Sequence, residues 1–251
     1  ACVKIFVLLS FILCVALLSI FIMLKTQTET IWERGQAKLC VKYGDILSIG
    51  KKRRFFRCST RNKLIVIPVN SHFDTIVEDS TVPNPLVSVK TIHGKWLNLY
   101  EAEKNMSPAE IQNAIYEFLD AKGIQYQADS NKRGSQRKYP TGTCAIMNGT
   151  NNVNYVLWAL SDFNQVNVAH ATKESVISSL VLLLDFVNTQ SQGDECYIPL
   201  AGTGMSRTSL SHKESLHTIL STIDLYREKL VGIVNVVIYN GDKSKVSIFD
   251  R

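Results

Sequence analysis

Three short segments of this chain combine residue types that could hold a polar small molecule. Gly44-Asp45-Ile46 closes an apolar run and sets a carboxylate beside a glycine. Pro68-Val69-Asn70-Ser71-His72-Phe73-Asp74 closes another, and supplies an amide, a hydroxyl, an imidazole and a carboxylate in succession. Gly202-Thr203-Gly204-Met205-Ser206-Arg207 is the most informative of the three. Its glycines permit close approach and positive φ, so backbone N–H groups can turn toward phosphate oxygens. Ser206 and Arg207 would add a hydroxyl and a positive charge. The spacing is not a Walker loop, because no Gly-Lys-Ser/Thr follows, and Arg207 stands where a GxGxxG fingerprint needs its third glycine. On residue types alone this loop reads as a phosphate cradle or as a plain turn. Asp45 and Asn70 read equally as ligand groups or turn formers. His72 reads as an exposed loop residue or, with Asp74, as a candidate base.

Such loops act together only if strands bring them to one edge, since ligands of open α/β sheets sit outside the carboxyl ends of the strands. The apolar runs at 39–43, 63–69, 196–200 and 231–239 read as strands, and 246–249 as a small edge strand. Residues 142–147 and 155–160 read as a hairpin around Asn148-Gly149. Ser107-Pro108-Ala109-Glu110 has the form of a helix start, with Ile111, Ile115, Phe118 and Leu119 as its apolar stripe and Gly123 as its stop. A second helix spans 173–187, with Val176, Leu180, Leu183, Leu184 and Val187 at helical spacing, and a third spans 211–230, capped by Ser211 with Glu214 three residues on. Residues 70–85 and 129–140 read as polar loops, and 87–95 as a short strand or loop. Strands and helices alternate in the second half, which predicts an α/β fold with a mixed sheet flanked by helices.

Ahead of this unit, residues 5–24 are apolar except for Ser10 and Ser19, with Lys4 before and Lys25 after. About 20 apolar residues is what a helix needs to cross a hydrocarbon core. No small-residue cleavage pattern follows, so residues 1–25 read as a transmembrane helix and not as a signal peptide. Residues 26–37 read as a linker or a helical continuation, and 38–251 as one domain. The chain opens on Ala1, which leaves room for an upstream span. The basic residues Lys51, Lys52, Arg53, Arg54, Arg57, Arg61 and Lys63 favour a cytoplasmic domain, and read either as a solvated loop or as a contact for anionic lipid. The six cysteines form no CxxC and have no histidine at ligand spacing, so neither a metal site nor a disulfide framework is expected. The net charge of +6 lacks the aromatic interleaving of a nucleic-acid groove.

The order of a Gly-Asp-Ile strand end, a strand ending Ile67-Pro68-Val69-Asn70, a strand ending Ile198-Pro199-Leu200-Ala201-Gly202-Thr203-Gly204, a long helix and a last apolar strand resembles the macro domain. It is most similar to the macro-like domain of Thoeris antiviral defence effectors, particularly the type joined to membrane spans. The resemblance covers residues 38–250. It implies an ADP-ribose derivative as ligand, with no cofactor and no nucleic acid. Asp45 would accept from the adenine amino group with the Ile46 backbone beside it. Asn70, with the turn through Phe73 and Asp74, would hold the distal ribose. Gly202, Thr203, Gly204, Met205, Ser206 and Arg207 would wrap the diphosphate.

The resemblance further implies an inner-membrane effector with a cytoplasmic macro domain, sensing a histidine–ADP-ribose conjugate made by a TIR-domain protein and acting on membrane lipid through self-assembly. Hydrolytic macro domains carry a glycine-rich stretch after the loop asparagine; here Ser71-His72-Phe73-Asp74-Thr75 is bulky and charged, which argues for a sensor and against an enzyme. Residues 76–96 read as a lid over the distal end, with Asp74, Glu78 and Asp79 available to a cationic or imidazole group. A tethered ADP-ribosyl hydrolase and a scaffold without nucleotide are the alternatives.

Overall fold

The computed structural model describes residues 2–25, 27–49, 61–79, 81–163, 169–191, 193–202 and 210–250. An apolar helix α1 (Cys2–Lys25) leads through two residues into strand β1 (Thr28–Arg34). Then come β2 (Ala37–Gly44), a one-turn helix α2 (Ile46–Ile49), β3 (Lys63–Asn70), the short β4 (Val77–Glu78) and β5 (Val87–Ser88), and helices α3 (Ile92–Lys104) and α4 (Pro108–Ala121). A small ribbon of β6 (Gln127–Ala128) and β7 (Arg137–Lys138) precedes the hairpin β8 (Cys144–Asn148) and β9 (Val153–Phe163). The chain closes with β10 (Ala169–His170), α5 (Lys173–Ser191), β11 (Glu195–Pro199), α6 (His212–Leu225) and β12 (Ile233–Tyr239).

The main sheet runs β1-β2-β12-β11-β3-β9-β10, with β8 also paired to β9. Its five inner strands, from β2 to β9, are parallel, while β1, β8 and β10 pair antiparallel at the two margins. Parallel strands must be covered on both faces, and the sequence supplies this by near-continuous apolar runs. In β3, Leu64 and Val66 pack against α5 and α6, while Ile65, Ile67 and Val69 pack against α3 and α4. Burying a Leu or Ile side chain contributes about 1.5–3 kcal/mol, so these two layers hold the strand ends in fixed register.

The two capping boxes read from sequence are formed: Ser107 with Glu110 starts α4, and Ser211 with Glu214 starts α6. Gly123 follows α4 at φ +67°, where only glycine is unstrained. Several expectations need correction. Residues 26–37 are no linker: Thr28 to Arg34 is a sheet strand, with Trp32 buried beneath the Arg227 guanidinium. The folded unit therefore starts at 28, not 38. Residues 246–249 form no strand, with only a turn at 248–249, although Val246 and Ile248 are buried. The 76–96 segment is no free lid. It holds β4, β5 and the start of α3, whose Trp96 is fully buried. The third long helix ends at Leu225, five residues short of the expected 230.

Candidate functional site

Parallel pairing brings the ends of β2, β12, β11, β3 and β9 to one edge. From β3 the chain moves toward β9 with α3 and α4 on one face; from β11 it moves toward β12 with α6 on the other. The boundary between β11 and β3 is therefore a topological switch point, the place where open α/β sheets bind ligands. The two strands also part there. Their pairing stops at Tyr197↔Ile65, whereas β11 stays paired with β12 as far as Pro199. Continuing the register would set Pro199 opposite Ile67 and Pro68 opposite Leu200. Proline has no N–H for the ladder, so two of them at one crossing end the pairing.

At the β2 end, Asp45 caps α2: its Oδ1 accepts from Leu47 N at 3.1 Å and its Oδ2 from Ser48 Oγ at 2.9 Å. The residue is exposed, while the Ile46 side chain is core, so only the backbone of Ile46 faces outward chemistry.

At the β3 end, Asn70 builds a tight turn. Its Oδ1 accepts from His72 N at 3.0 Å and Asp74 N at 3.3 Å, and its carbonyl accepts from Phe73 N at 3.0 Å. Phe73 sits at φ +52°, a region a bulky residue adopts only when its surroundings impose it. Here the constraint is burial of the ring, edge-on to Tyr139 at 5.6 Å. His72 is not an exposed loop residue. It is buried, with Nδ1 3.4 Å from Ser71 Oγ and Nε2 3.3 Å from Asp129 Oδ2. Burial and the Lys132 charge hold its imidazole below the usual histidine range, against the opposing pull of Asp74 and Asp129.

Asp74 is equally enclosed, at 1% side-chain exposure. Lys132 Nζ lies 2.7 Å from its Oδ2, and Ser135 N donates to its Oδ1 at 2.8 Å. Arg133 grips Glu78 with both guanidinium nitrogens. Burial opposes ionisation of Glu78, but Arg133 and the Leu86 N–H outweigh it and lower the carboxyl's pKa. The acidic cluster expected to greet a cation is thus engaged by the 129–138 segment: Asp74 and Glu78 hold Lys132 and Arg133, and Asp79 accepts from Thr81. Gly134, at φ +86°, lets that segment lie against Asp74, whose Oδ1 would be 2.5 Å from an added Cβ.

At the β11 end, Gly202 is buried at φ +89°, a region where only glycine is unstrained. Ser215 of α6 donates its hydroxyl to the Ala201 carbonyl, fixing the loop's entry. Thr203, Gly204, Met205, Ser206 and Arg207 lie outside the described residues. Asp45, Ile46, Asn70 and Gly202 therefore share one edge, with Phe73 and Asp74 behind the turn as its support. Sequence reasoning missed Lys132, Asp129 and Asp162. Asp162 accepts from Ser71 Oγ at 2.9 Å and lies 2.5 Å from Lys138 Nζ. No local pattern marks these partners, since they meet the turn only through the tertiary fold. Among the described residues no group of three or more His, Cys, Asp or Glu is placed to hold a metal.

Comparison with known families decides what this edge belongs to. The family model described as Thoeris protein ThsA, Macro domain, matches residues 39–239. The chain belongs to this family. Among curated proteins, the Thoeris protein ThsA of Bacillus amyloliquefaciens (strain Y2) is 23% identical over 214 residues, 83% of this chain and 65% of that protein. The chain thus spans 65% of that ThsA protein's length. Among solved structures, a macrodomain mutant of Oceanobacillus iheyensis with ADPR superposes at a TM-score of 0.53 and 17% identity, covering 86% of this chain and 93% of that one. The same bacterium's macrodomain with ADP superposes at 0.51 and 17%, covering 86% and 91%. These likenesses fix the fold: this ThsA-family domain is a macro domain, preceded in this chain by an apolar helix.

Proposed function

We propose that this chain is a membrane-anchored effector of a bacterial anti-phage system of the Thoeris type, whose macro domain senses an ADP-ribose-derived signal. The observation that carries the reading is the order of residues across the edge. Moving from β2 through β11 to β3, a ligand would meet Asp45, then the glycine loop beginning at Gly202, then Asn70. That is the chemical order of adenine, diphosphate and distal ribose. With adjacent strands about 4.8 Å apart, the three-strand offset from β2 to β3 spans roughly 14 Å, suited to an elongated ligand. The ADPR- and ADP-bound macrodomains of the same fold support this class of ligand. Asn70 spends its carbonyl oxygen on its own turn, so its amide N–H groups are what the distal ribose would meet.

The signal itself is a histidine–ADP-ribose conjugate made by a TIR-domain protein, and it is bound, not hydrolysed. His72 supports this, because it is sealed behind the turn and cannot present a base to a water at the site. The helix α1 is the anchor: Lys4–Phe21 is long and apolar enough to cross a membrane, and none of it is buried against the body. Binding shifts protomers toward self-association, which disrupts the inner membrane. Such a shift requires that the ligand favour one state over the other.

The test is calorimetry of the full chain in lipid nanodiscs, titrated with ADP-ribose and then the conjugate. Saturable conjugate binding, lost in Asp45→Ala and Gly204→Glu, is expected. Absence of binding to either compound removes the nucleotide reading, and turnover of the conjugate converts the sensor into an enzyme.

A further inference from the structure

We infer that the edge carrying the candidate site is the face this domain presents to the bilayer. The inference rests on the anchored reading of α1 and adds an orientation to it. Strand β1 runs antiparallel to β2, with Thr28 opposite Lys42 and Arg34 opposite Ala37. The root of α1 therefore joins the sheet at the carboxyl end of β2, and Gln27 O accepts from Tyr43 N at 3.0 Å. Only residues 26 and 27 separate α1 from β1. The three Cα–Cα steps from Lys25 to Thr28 span at most about 11 Å, so the sheet edge lies close to the end of the helix.

Tyr43 ties the other parts of the edge to that root. Its hydroxyl accepts from Ile248 N at 3.1 Å, and the Lys243 ammonium lies 4.7 Å from its ring centre. The 240–250 segment then reaches α6 through His212–Asp242 at 3.4 Å and Lys213–Asp250 at 3.3 Å. The root of α1, the Gly44-Asp45 end and the start of α6 are thus one connected rim.

That rim has the composition of a membrane interface. Tyr239, at the end of β12, is 56% exposed and Phe249 is 60% exposed. Lys243 and Lys245 stand between them and are exposed. Aromatic rings flanked by lysines favour the headgroup layer, where the ring meets the acyl boundary and the ammonium stays hydrated. Charge alone does not drive the contact, because Lys213 and Lys245 are paired with Asp250 and Asp242. The short tether and the two exposed rings carry it. The opposite rim, at the β1–β2 turn, lies about 26 Å further along a strand of this length.

The experiment uses the full chain with Cys2, Cys14 and Cys58 replaced by serine; Cys40, Cys144 and Cys196 are buried. A fluorophore is placed on Ser244→Cys at the site rim, or on Gln36→Cys or Val231→Cys at the opposite rim. Each variant is reconstituted into phosphatidylcholine–phosphatidylglycerol vesicles carrying headgroup spin labels. Loss of fluorescence at Ser244→Cys, with none at Gln36→Cys or Val231→Cys, is expected. Equal quenching at both rims, or quenching only at the far rim, overturns the orientation while leaving the anchor intact. Failure to float with the vesicles overturns the anchor and the orientation together, and leaves nucleotide binding to be judged by calorimetry.

Discussion

Single side chains here do more structural work around the site than ligand contact alone would require. The Asp74–Lys132 pair shows this, since both partners are almost fully buried. Removing one member strands the other charge, so Asp74→Ala is expected to lower stability by about 3–5 kcal/mol, measured by urea denaturation. Lys132→Ala should cost a similar amount, and the double variant less than the sum of the two. A loss under 1 kcal/mol in Asp74→Ala would return that carboxylate to the ligand. Histidine protonation gives a second prediction at this scale. His93 is wholly enclosed beside Trp96, and burial pushes its imidazole down to about 3. The unfolded chain binds a proton at this residue near pH 6.5, the folded one does not, and the unfolded state therefore gains as pH falls. His72 is shifted in the same direction. Through His93, stability should decline as pH falls from 6.5 to 5, by up to about 1.4 kcal/mol per pH unit, with His72 acting in the same direction. His93→Leu should flatten that slope; an unaltered slope would show that other groups cause it.

Elements explain which parts of the fold were legible. The capped helices were, because Ser107, Glu110, Ser211 and Glu214 act within one turn of their own positions. Ser211→Ala is expected to cost about 1 kcal/mol, read from the denaturation midpoint. Because Ser211 opens the helix that receives the glycine loop, the same change should also weaken conjugate binding. Helix α3 was not legible. Its apolar positions are the cluster Trp96, Leu97 and Tyr100, and Gly94 in its first turn discourages a helical reading. That glycine is needed for a tertiary reason, since an added Cβ would meet the Ser88 carbonyl. Strand β1 was hidden because Thr28 to Arg34 alternates polar residues around a single buried tryptophan, and only pairing with β2 gives it a place. Of the site, the strand-end glycines and Asn70 could be read locally, whereas Lys132, Asp129 and Asp162 reach the turn from distant sequence. Gly134→Ala tests that distant support: it should destabilise by about 1–3 kcal/mol, by driving the 129–138 segment off Asp74.

At the scale of the whole molecule, an apolar helix with every described side chain from Lys4 to Phe21 in the open must be covered by something when the protein is in water. Removal of residues 1–25 is expected to convert a vesicle-bound protein into one that stays in the supernatant after ultracentrifugation, with ADP-ribose affinity unchanged. The two-residue link from α1 to β1 also governs symmetry. On the anchored reading proposed above, protomers inserted with a common polarity would share one direction, and two copies could be superposed only by rotation about the membrane normal. A twofold axis lying in the bilayer plane would place one domain on the wrong side. Any closed assembly of the chain anchored in this way would therefore be a ring, and dihedral stacks of the kind open to soluble oligomers would be forbidden.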